Sequence, residues 1–286
     1  MPYKIAVASG KGGTGKTTVS VNLLSYLQKS VEGRVHLVDC DVEEPNDLLF
    51  FSKAEKTSTE VVKQLIPEIQ RDKCTYCGRC EEYCEFNAIS IIPSREYAKV
   101  DSGLCHSCGA CLVACQDDAI IELEEEIGNV NFYETSNGAH LAEGRLKVGS
   151  PMQTLLIKEL KKLVPQDDEI IIYDAPPGTS CSVVETISDV DFVVLVAEPT
   201  LFGLHDLKLM VQLVQDLNVP FGLVINKAGL GDEVIYQYIK DKNINFLGEI
   251  PFSRSYASLY AKGNIIDEVP LEIENAYKDI VHKIAF

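Results

Sequence analysis

Positive charge is scarce in this chain. Its 26 lysines and arginines face 43 aspartates and glutamates, a formal net charge of −17 over 286 residues. Nucleic acids and anionic lipid surfaces are held through clustered lysine and arginine, so this balance argues against both as partners. It suits instead a partner protein with a basic patch. No apolar run approaches the ~18–20 residues that a membrane-spanning helix needs. The amino terminus shows no leader, because the short apolar stretch Ile5–Ala8 runs straight into a glycine-rich loop. These absences predict a cytoplasmic protein. A chain of this length with 46% apolar residues can bury a core without disulfide staples. In a reducing compartment its ten cysteines point to metal or redox chemistry.

Eight of the ten cysteines lie between Cys74 and Cys115; only Cys40 and Cys181 lie outside. On either side of that block, short Val/Ile/Leu-rich runs alternate with amphipathic stretches. The runs 3–9, 35–39, 169–174, 192–197, 221–226 and 246–250 read as buried strands, and 16–28, 152–163, 204–217 and 233–240 as helices. Such alternation predicts an α/β fold, a doubly wound and mostly parallel sheet covered on both faces. The cysteine block interrupts the rhythm after the second strand, at about residues 68–122, and leaves 1–67 and 123–286 as one discontinuous domain. Residues 122–126 read as a solvated acidic strand or hairpin, and 127–150 as irregular strands and loops leading back to a helix near Met152.

Gly10, Lys11, Gly12, Gly13, Thr14, Gly15, Lys16, Thr17 and Thr18 follow the first strand and open a helix. This is the context of a phosphate-binding loop. Its glycines let backbone N–H groups turn inward around phosphates, and the helix N-terminus adds partial positive charge. Lys16 is expected to reach the β- and γ-phosphates of ATP, and the Thr17 hydroxyl to ligate Mg²⁺. Asp39 and Asp41 end the second strand and Asp174 ends the next parallel one. Mg²⁺ and an attacking water need carboxylates at such strand ends.

The cysteine block is an internal duplication. Cys74, Cys77, Gly78, Cys80, Cys84, Ala88 and Ile89 recur without gaps as Cys105, Cys108, Gly109, Cys111, Cys115, Ala119 and Ile120. Each copy is C-x2-C-x2-C-x3-C. This spacing gives three ligands to one [4Fe–4S] cluster and sends the fourth to its neighbour. The predicted sets are Cys74, Cys77, Cys80 and Cys115 for one cluster, and Cys84, Cys105, Cys108 and Cys111 for the other. Zinc, which takes paired CxxC motifs, matches two uninterrupted four-cysteine runs poorly. Glu85 and Gln116 stand where bacterial ferredoxins carry proline, which bears on potential more than on ligation. His106 reads as a surface residue or N–H···S donor and not as a ligand.

With Lys11 just inside the loop, Lys-Gly-Gly-Thr-Gly-Lys-Thr resembles the deviant Walker A motif of the MinD, Mrp, ParA and nitrogenase iron-protein superfamily. The resemblance covers nearly the whole chain outside the cysteine block. It implies that Lys11 crosses to the partner's nucleotide in an ATP-dependent homodimer. Asp39-Cys40-Asp41 with Pro45-Asn46 resembles switch I, with Asp41 orienting the hydrolytic water and Asp39 on the Mg²⁺ side. Asp174-Ala-Pro-Pro-Gly178 resembles switch II, its aspartate holding Mg²⁺ through water. Asn226-Lys227 resembles an adenine-reading motif, with Pro251 and Phe252 flanking the base. The two halves together, including the segment Phe202–Leu207 after Glu198-Pro199-Thr200, resemble MinD-superfamily ATPases containing an inserted 2[4Fe–4S] ferredoxin domain. The implied function is ATP-gated electron transfer or metal and cluster delivery. Two alternatives are a cluster carrier or scaffold under ATP control, and a positioning ATPase whose clusters sense redox state.

Three features carry a second reading. Nitrogenase-type iron proteins place a cluster cysteine near the position of Cys181, and Cys40 lies inside switch I; the plainer reading of both is a small buried side chain. The segment 270–286 has apolar residues at helical spacing. Its acids predict a helix packed on the sheet and not a membrane anchor.

Overall fold

The computed structural model describes residues 1–31, 33–136, 138–231 and 233–284. In chain order the elements are β1 (Tyr3–Ala8), α1 (Lys16–Ser30), β2 (Val35–Asp39), β3 (Glu55–Ile69), α2 (Arg79–Glu82), β4 (Ile89–Ile92), β5 (Tyr97–Val100), α3 (Ala110–Ala114), β6 (Ile120–Glu134), β7 (His140–Leu146), α4 (Gln153–Leu163), β8 (Ile170–Asp174), α5 (Cys181–Ile187), β9 (Phe192–Ala197), α6 (Leu201–Asp216), β10 (Phe221–Ala228), α7 (Val234–Asp241), β11 (Phe246–Pro251), α8 (Arg254–Ala261) and α9 (Leu271–Lys283). The main sheet runs β11-β10-β9-β1-β8-β2-β7-β6-β3. Its pairings from β11 across to β7 are all parallel.

The chain forms two compact units. One comprises Met1–Thr59, Val130–Arg145 and Ile157–Phe286; the other comprises Glu60–Asn129 and Leu146–Leu156. The first carries the parallel sheet. Its central strands are buried along their whole length because helices cover both faces. Side chains alternate: Ile5, Val7, Val35, Leu37, Ile170, Ile172, Val194 and Val196 join Val19, Leu23 and Leu27 of α1 and Tyr277 and Ile280 of α9 in one core. On the opposite side α5 packs against β1 and α6 against β9. The C-terminal segment is the expected helix on the sheet. Ile273, Tyr277 and Ile280 of α9 are fully buried, each contributing about 1.5–3 kcal/mol. Tyr277 also stacks on Tyr26, ring centroids 5.6 Å apart.

The stretch 127–150, expected as irregular strands and loops, is mostly the regular strands β6 and β7. Charge hid their regularity. Glu143 is buried in β7 and accepts hydrogen bonds from Asn131, Tyr133 and Arg145, so polar residues occupy inward positions. The edge strand β3 was equally hidden. Its first seven residues are exposed and the first six of them polar, a common guard against edge-to-edge pairing.

In the second unit the segment 68–122 forms two near-identical halves. The N–H of Gln70 donates to the carbonyl of Ala119 at 2.7 Å, and its mate in the duplication, Asp101, donates to Ala88 at 2.7 Å. β4 and β5 pair antiparallel, Ile89 opposite Val100. Gly78 and Gly109 both adopt left-handed backbone (φ 81° and 73°) at the start of α2 and α3.

Candidate functional site

The loop between β1 and α1 is shaped by what surrounds it. Gly15 is left-handed (φ 95°), and a Cβ there would lie 2.1 Å from the Asn226 amide nitrogen. A Cβ on Gly10 would meet the Asp206 carbonyl of α6 at 2.5 Å. Asn226, at the end of β10, donates to the Thr14 carbonyl at 2.8 Å and accepts from the Lys227 N–H at 2.9 Å. Lys227 Nζ donates to the Gly13 carbonyl at 2.7 Å. Lys16 is buried within the loop. Pro251 and Phe252 line, with Gly13, Gly15, Thr18, Asn226, Lys227, Tyr256 and Tyr260, a cavity of about 310 Å³. That volume suits a nucleotide-sized ligand. The Asn226 amide is already engaged with the loop, so it keeps one N–H and one lone pair for a base.

Strand ends bring the acidic residues to the same place. Thr17 Oγ1 donates to Asp174 Oδ2 at 2.9 Å, and Ser20 Oγ to Asp174 Oδ1 at 2.8 Å. Asp39 accepts the backbone N–H groups of Asp41, Asn46 and Asp47 at 3.0, 2.7 and 3.0 Å, folding the loop after β2 around its carboxylate. Asp47 joins Asp39 and Asp174, with one oxygen from each within 4.8 Å of the others. Burial first, then the Asp174 charge, pushes the Asp39 carboxyl up to about 7 against its three N–H bonds. Asp47 is also raised well above its ordinary value, by burial first and then by the charges of Asp39 and Asp174. Three buried carboxylates this close call for protons or a cation, and with Thr17 beside them the donor set fits Mg²⁺. Asp41 is only partly buried; burial raises its carboxyl and the Lys16 charge opposes that.

Sequence reading missed Asp47, Ser20 and Glu198. Glu198, at the end of β9, forms ion pairs with both Lys11 and Lys227, the latter at 3.2 Å. Burial alone would raise its carboxyl, but the bonds from Lys11 and Lys227 outweigh burial and hold it below the usual range. Its position at a strand's carboxyl end was the available signal.

The cysteines assemble as two quartets. Cys74, Cys77, Cys80 and Cys115 line one small cavity; Cys84, Cys105, Cys108 and Cys111 line another. The fourth member of each therefore comes from the other copy. None of the ten cysteines is in a disulfide. Backbone N–H groups point at sulfur in matched pairs: Tyr76 to Cys74 and Ser107 to Cys105, both 3.4 Å, then Ala88 to Cys84 and Ala119 to Cys115, both 3.3 Å. Left-handed Asn87 and Asp118, types that tolerate this conformation, precede the second pair of donors. Burial holds the Cys80 thiol up at about 11 and raises Cys105 and Cys111. Four thiolates crowded together need bound cationic metal, and donors aimed at sulfur suit an iron–sulfur cluster.

His106 is exposed and stacks on Phe86, centroids 3.9 Å apart, beside the second quartet. Cys40 is fully buried as expected. Cys181 is not: it is exposed at the first turn of α5, which corrects the buried reading.

A model of the CobQ/CobB/MinD/ParA nucleotide binding domain matches residues 5–266. The uncharacterized protein MJ0578 of Methanocaldococcus jannaschii is 32% identical over 98% of this chain and 96% of its own length. An iron-sulfur cluster carrier protein of Methanococcus maripaludis is 24% identical over 99% of this chain and 84% of its own. The cell division ATPase MinD of Pyrococcus furiosus has the same fold, with a TM-score of 0.59 at 17% identity over 99% and 98% of the two chains. The glycine loop after β1, the carboxylates at the ends of β2 and β8 and this match across most of the sequence lead to one assignment: the chain belongs to the CobQ/CobB/MinD/ParA nucleotide-binding domain family.

Proposed function

We propose that this chain is a Mg²⁺-dependent ATPase carrying two [4Fe–4S] clusters, and that its nucleotide state is coupled to electron transfer. The observation that carries this is the pair of cysteine quartets, each completed by the opposite repeat and each furnished with backbone N–H donors to sulfur, in one chain with a phosphate loop. Residues 68–122 are then a ferredoxin domain inserted in an ATPase domain of residues 1–67 and 123–286. When bound, the clusters supply one-electron chemistry and Mg²⁺ offsets phosphate charge.

The chain's own residues have the following roles. Gly10, Gly12, Gly13, Thr14, Gly15 and Thr18 wrap the phosphates, and Lys16 neutralises their charge. Thr17, Asp39 and Asp174 hold Mg²⁺, with Asp47 as an added carboxylate. Asp41 orients the attacking water. Asn226, Lys227, Pro251 and Phe252 surround the base. Lys11 has to leave Glu198 before it can reach a partner's nucleotide in an ATP-dependent homodimer. The acidic surface suits a basic redox partner.

Iron and nucleotide analysis of anaerobically purified protein tests this reading. About eight irons per chain, with EPR of reduced [4Fe–4S] centres and Mg²⁺-dependent ATP hydrolysis, is the expected result. Stoichiometric zinc with little iron would refute it. One observation favours a second reading, an ATP-controlled cluster carrier: Cys77 and Cys108 are exposed, so one ligand of each quartet is open to exchange. A relative also bears the name of iron-sulfur cluster carrier protein. Transfer of iron from the loaded chain to an apo-acceptor, faster with ATP than without, would select the carrier reading.

A further inference from the structure

At the amino ends of the strands, away from the phosphate loop, β2, β7 and the approach to β8 bring two histidines and an aspartate together. His36 of β2 lies beside His140 of β7 in the parallel register, and Asp168 stands two residues before β8. Asp168 Oδ2 is 3.0 Å from His36 Nδ1 and 3.4 Å from His140 Nδ1. One ligand atom from each residue lies within 4.8 Å of the others. Tetrahedral zinc with nitrogen and oxygen ligands at about 2.0–2.2 Å separates its ligand atoms by about 3.3–3.6 Å. The measured separations are close to that spacing.

We propose that His36, His140 and Asp168 form a binding site for a divalent transition metal ion. The surroundings are those of a ligand set. The Asp168 carboxylate and the His36 ring are almost wholly buried, while the His140 side chain is 20% exposed and leaves a side open to solvent. The ring nitrogens of His36 make no hydrogen bond other than the one to Asp168, since Nε2 is buried without a partner. Arg34 Nε sits 3.1 Å from the other oxygen, Oδ1, an ion pair without hydrogen-bond alignment that leaves this oxygen unpartnered. Arg34 also pairs with Asp167 at 3.0 Å, so its charge is offset and the group keeps a net negative charge toward a cation. Phe132 packs edge-on to His36 and dries one flank. Two imidazoles and a carboxylate with an open side suit zinc or ferrous iron and disfavour Mg²⁺, which prefers oxygen. A bound ion would tie β7 to β2 and β8, the strands that carry Asp39 and Asp174 at their other ends.

The test uses anaerobically purified full-length protein, freed of nucleotide and Mg²⁺, treated with a mild chelator and titrated with zinc chloride. The expected result is about one more zinc per chain in the unmodified protein than in His140→Ala, with affinity for that zinc lowered tenfold or more by the substitution. Zinc-edge X-ray absorption of the bound ion should give a nitrogen and oxygen shell with imidazole scattering. His140→Cys should bind zinc again with one sulfur in the shell, which separates ligand loss from misfolding. Equal zinc content and affinity in His140→Ala and the unmodified protein would overturn the proposal. So would a shell of sulfur alone, which assigns the ion to the cysteine quartets, or of oxygen alone, which assigns it to Asp39, Asp47 and Asp174.

Discussion

The cysteine quartets and the phosphate loop both gather charge at one point, but they draw on the chain differently. Each quartet takes its members from within residues 74–115, and every backbone bond to sulfur in one half has a mate in the other. The phosphate site draws on β1, β2, β8, β9 and β10, and its contacts have no such paired mates. A duplicated local motif gives equivalent sites whose members should matter equally. A site assembled from five strand ends gives each residue a separate task. The predictions below probe that contrast.

The largest effect belongs to the cysteines. Cys80→Ser and Cys111→Ser should each remove one cluster, about half the iron. If the halves are equivalent, the two losses should match and ATP binding should survive both. Unequal losses, with one variant losing all its iron, would show one quartet to depend on the other.

In the nucleotide unit the single substitutions should separate. Lys16→Ala should weaken ATP binding about tenfold to a hundredfold, the worth of a charge-assisted contact. Asp41→Ala should bind ATP normally and fail to hydrolyse it, while Lys11→Ala should bind ATP without dimerising. Equilibrium binding, turnover and sedimentation with and without ATP distinguish these outcomes. Normal hydrolysis by Asp41→Ala would reject its role.

Smaller effects come from residues that hold the loop. Asn226→Ala removes the support of the Thr14 carbonyl and should cost about 1–3 kcal/mol of stability. Glu198→Gln should cost about 1 kcal/mol at neutral pH, because Lys11 and Lys227 lose a charged partner. Since the Glu198 carboxyl is held below its ordinary value of 4.5, its contribution is present above that pH. It is lost as pH falls through the depressed value. The stability gap between Glu198→Gln and the unmodified protein should therefore be constant down to about pH 4.5 and close below it, as read by denaturant titration. A gap that persists in acid would assign Glu198 a packing role only.

This contrast also explains what the sequence disclosed. The cysteine sets were legible because spacing alone decides them. The central strands β2, β8 and β9 were legible because both faces are buried, so their apolar runs are nearly unbroken. β3 was not, since its exposed polar residues carry no alternation, and β7 was not, since buried Glu143 breaks the apolar pattern. At the phosphate site, loop and strand-end motifs marked Lys16, Thr17 and Asp174. Asp47 and Glu198 went unmarked because only tertiary packing brings them to the loop. The His36, His140 and Asp168 group is the same case, three residues spread over more than a hundred positions.

Whether the two regions act on each other is the central question. β3 leads the chain from the loop that follows Asp39 toward the cysteine repeats, and β6 leads it back. A loop that reorders around a γ-phosphate therefore has a continuous covalent route to the cysteine quartets. Coupling free energies between sites are typically about 1–3 kcal/mol. A tenfold shift in a one-electron equilibrium is about 59 mV. The direct measurement is an anaerobic redox titration of Asp41→Ala with and without Mg-ATP, paired with ATP binding to the oxidised and reduced protein. The account predicts that ATP moves at least one cluster midpoint by tens of millivolts and that reduction changes ATP affinity by the same factor. Midpoints and ATP affinities that are the same in every state would contradict it.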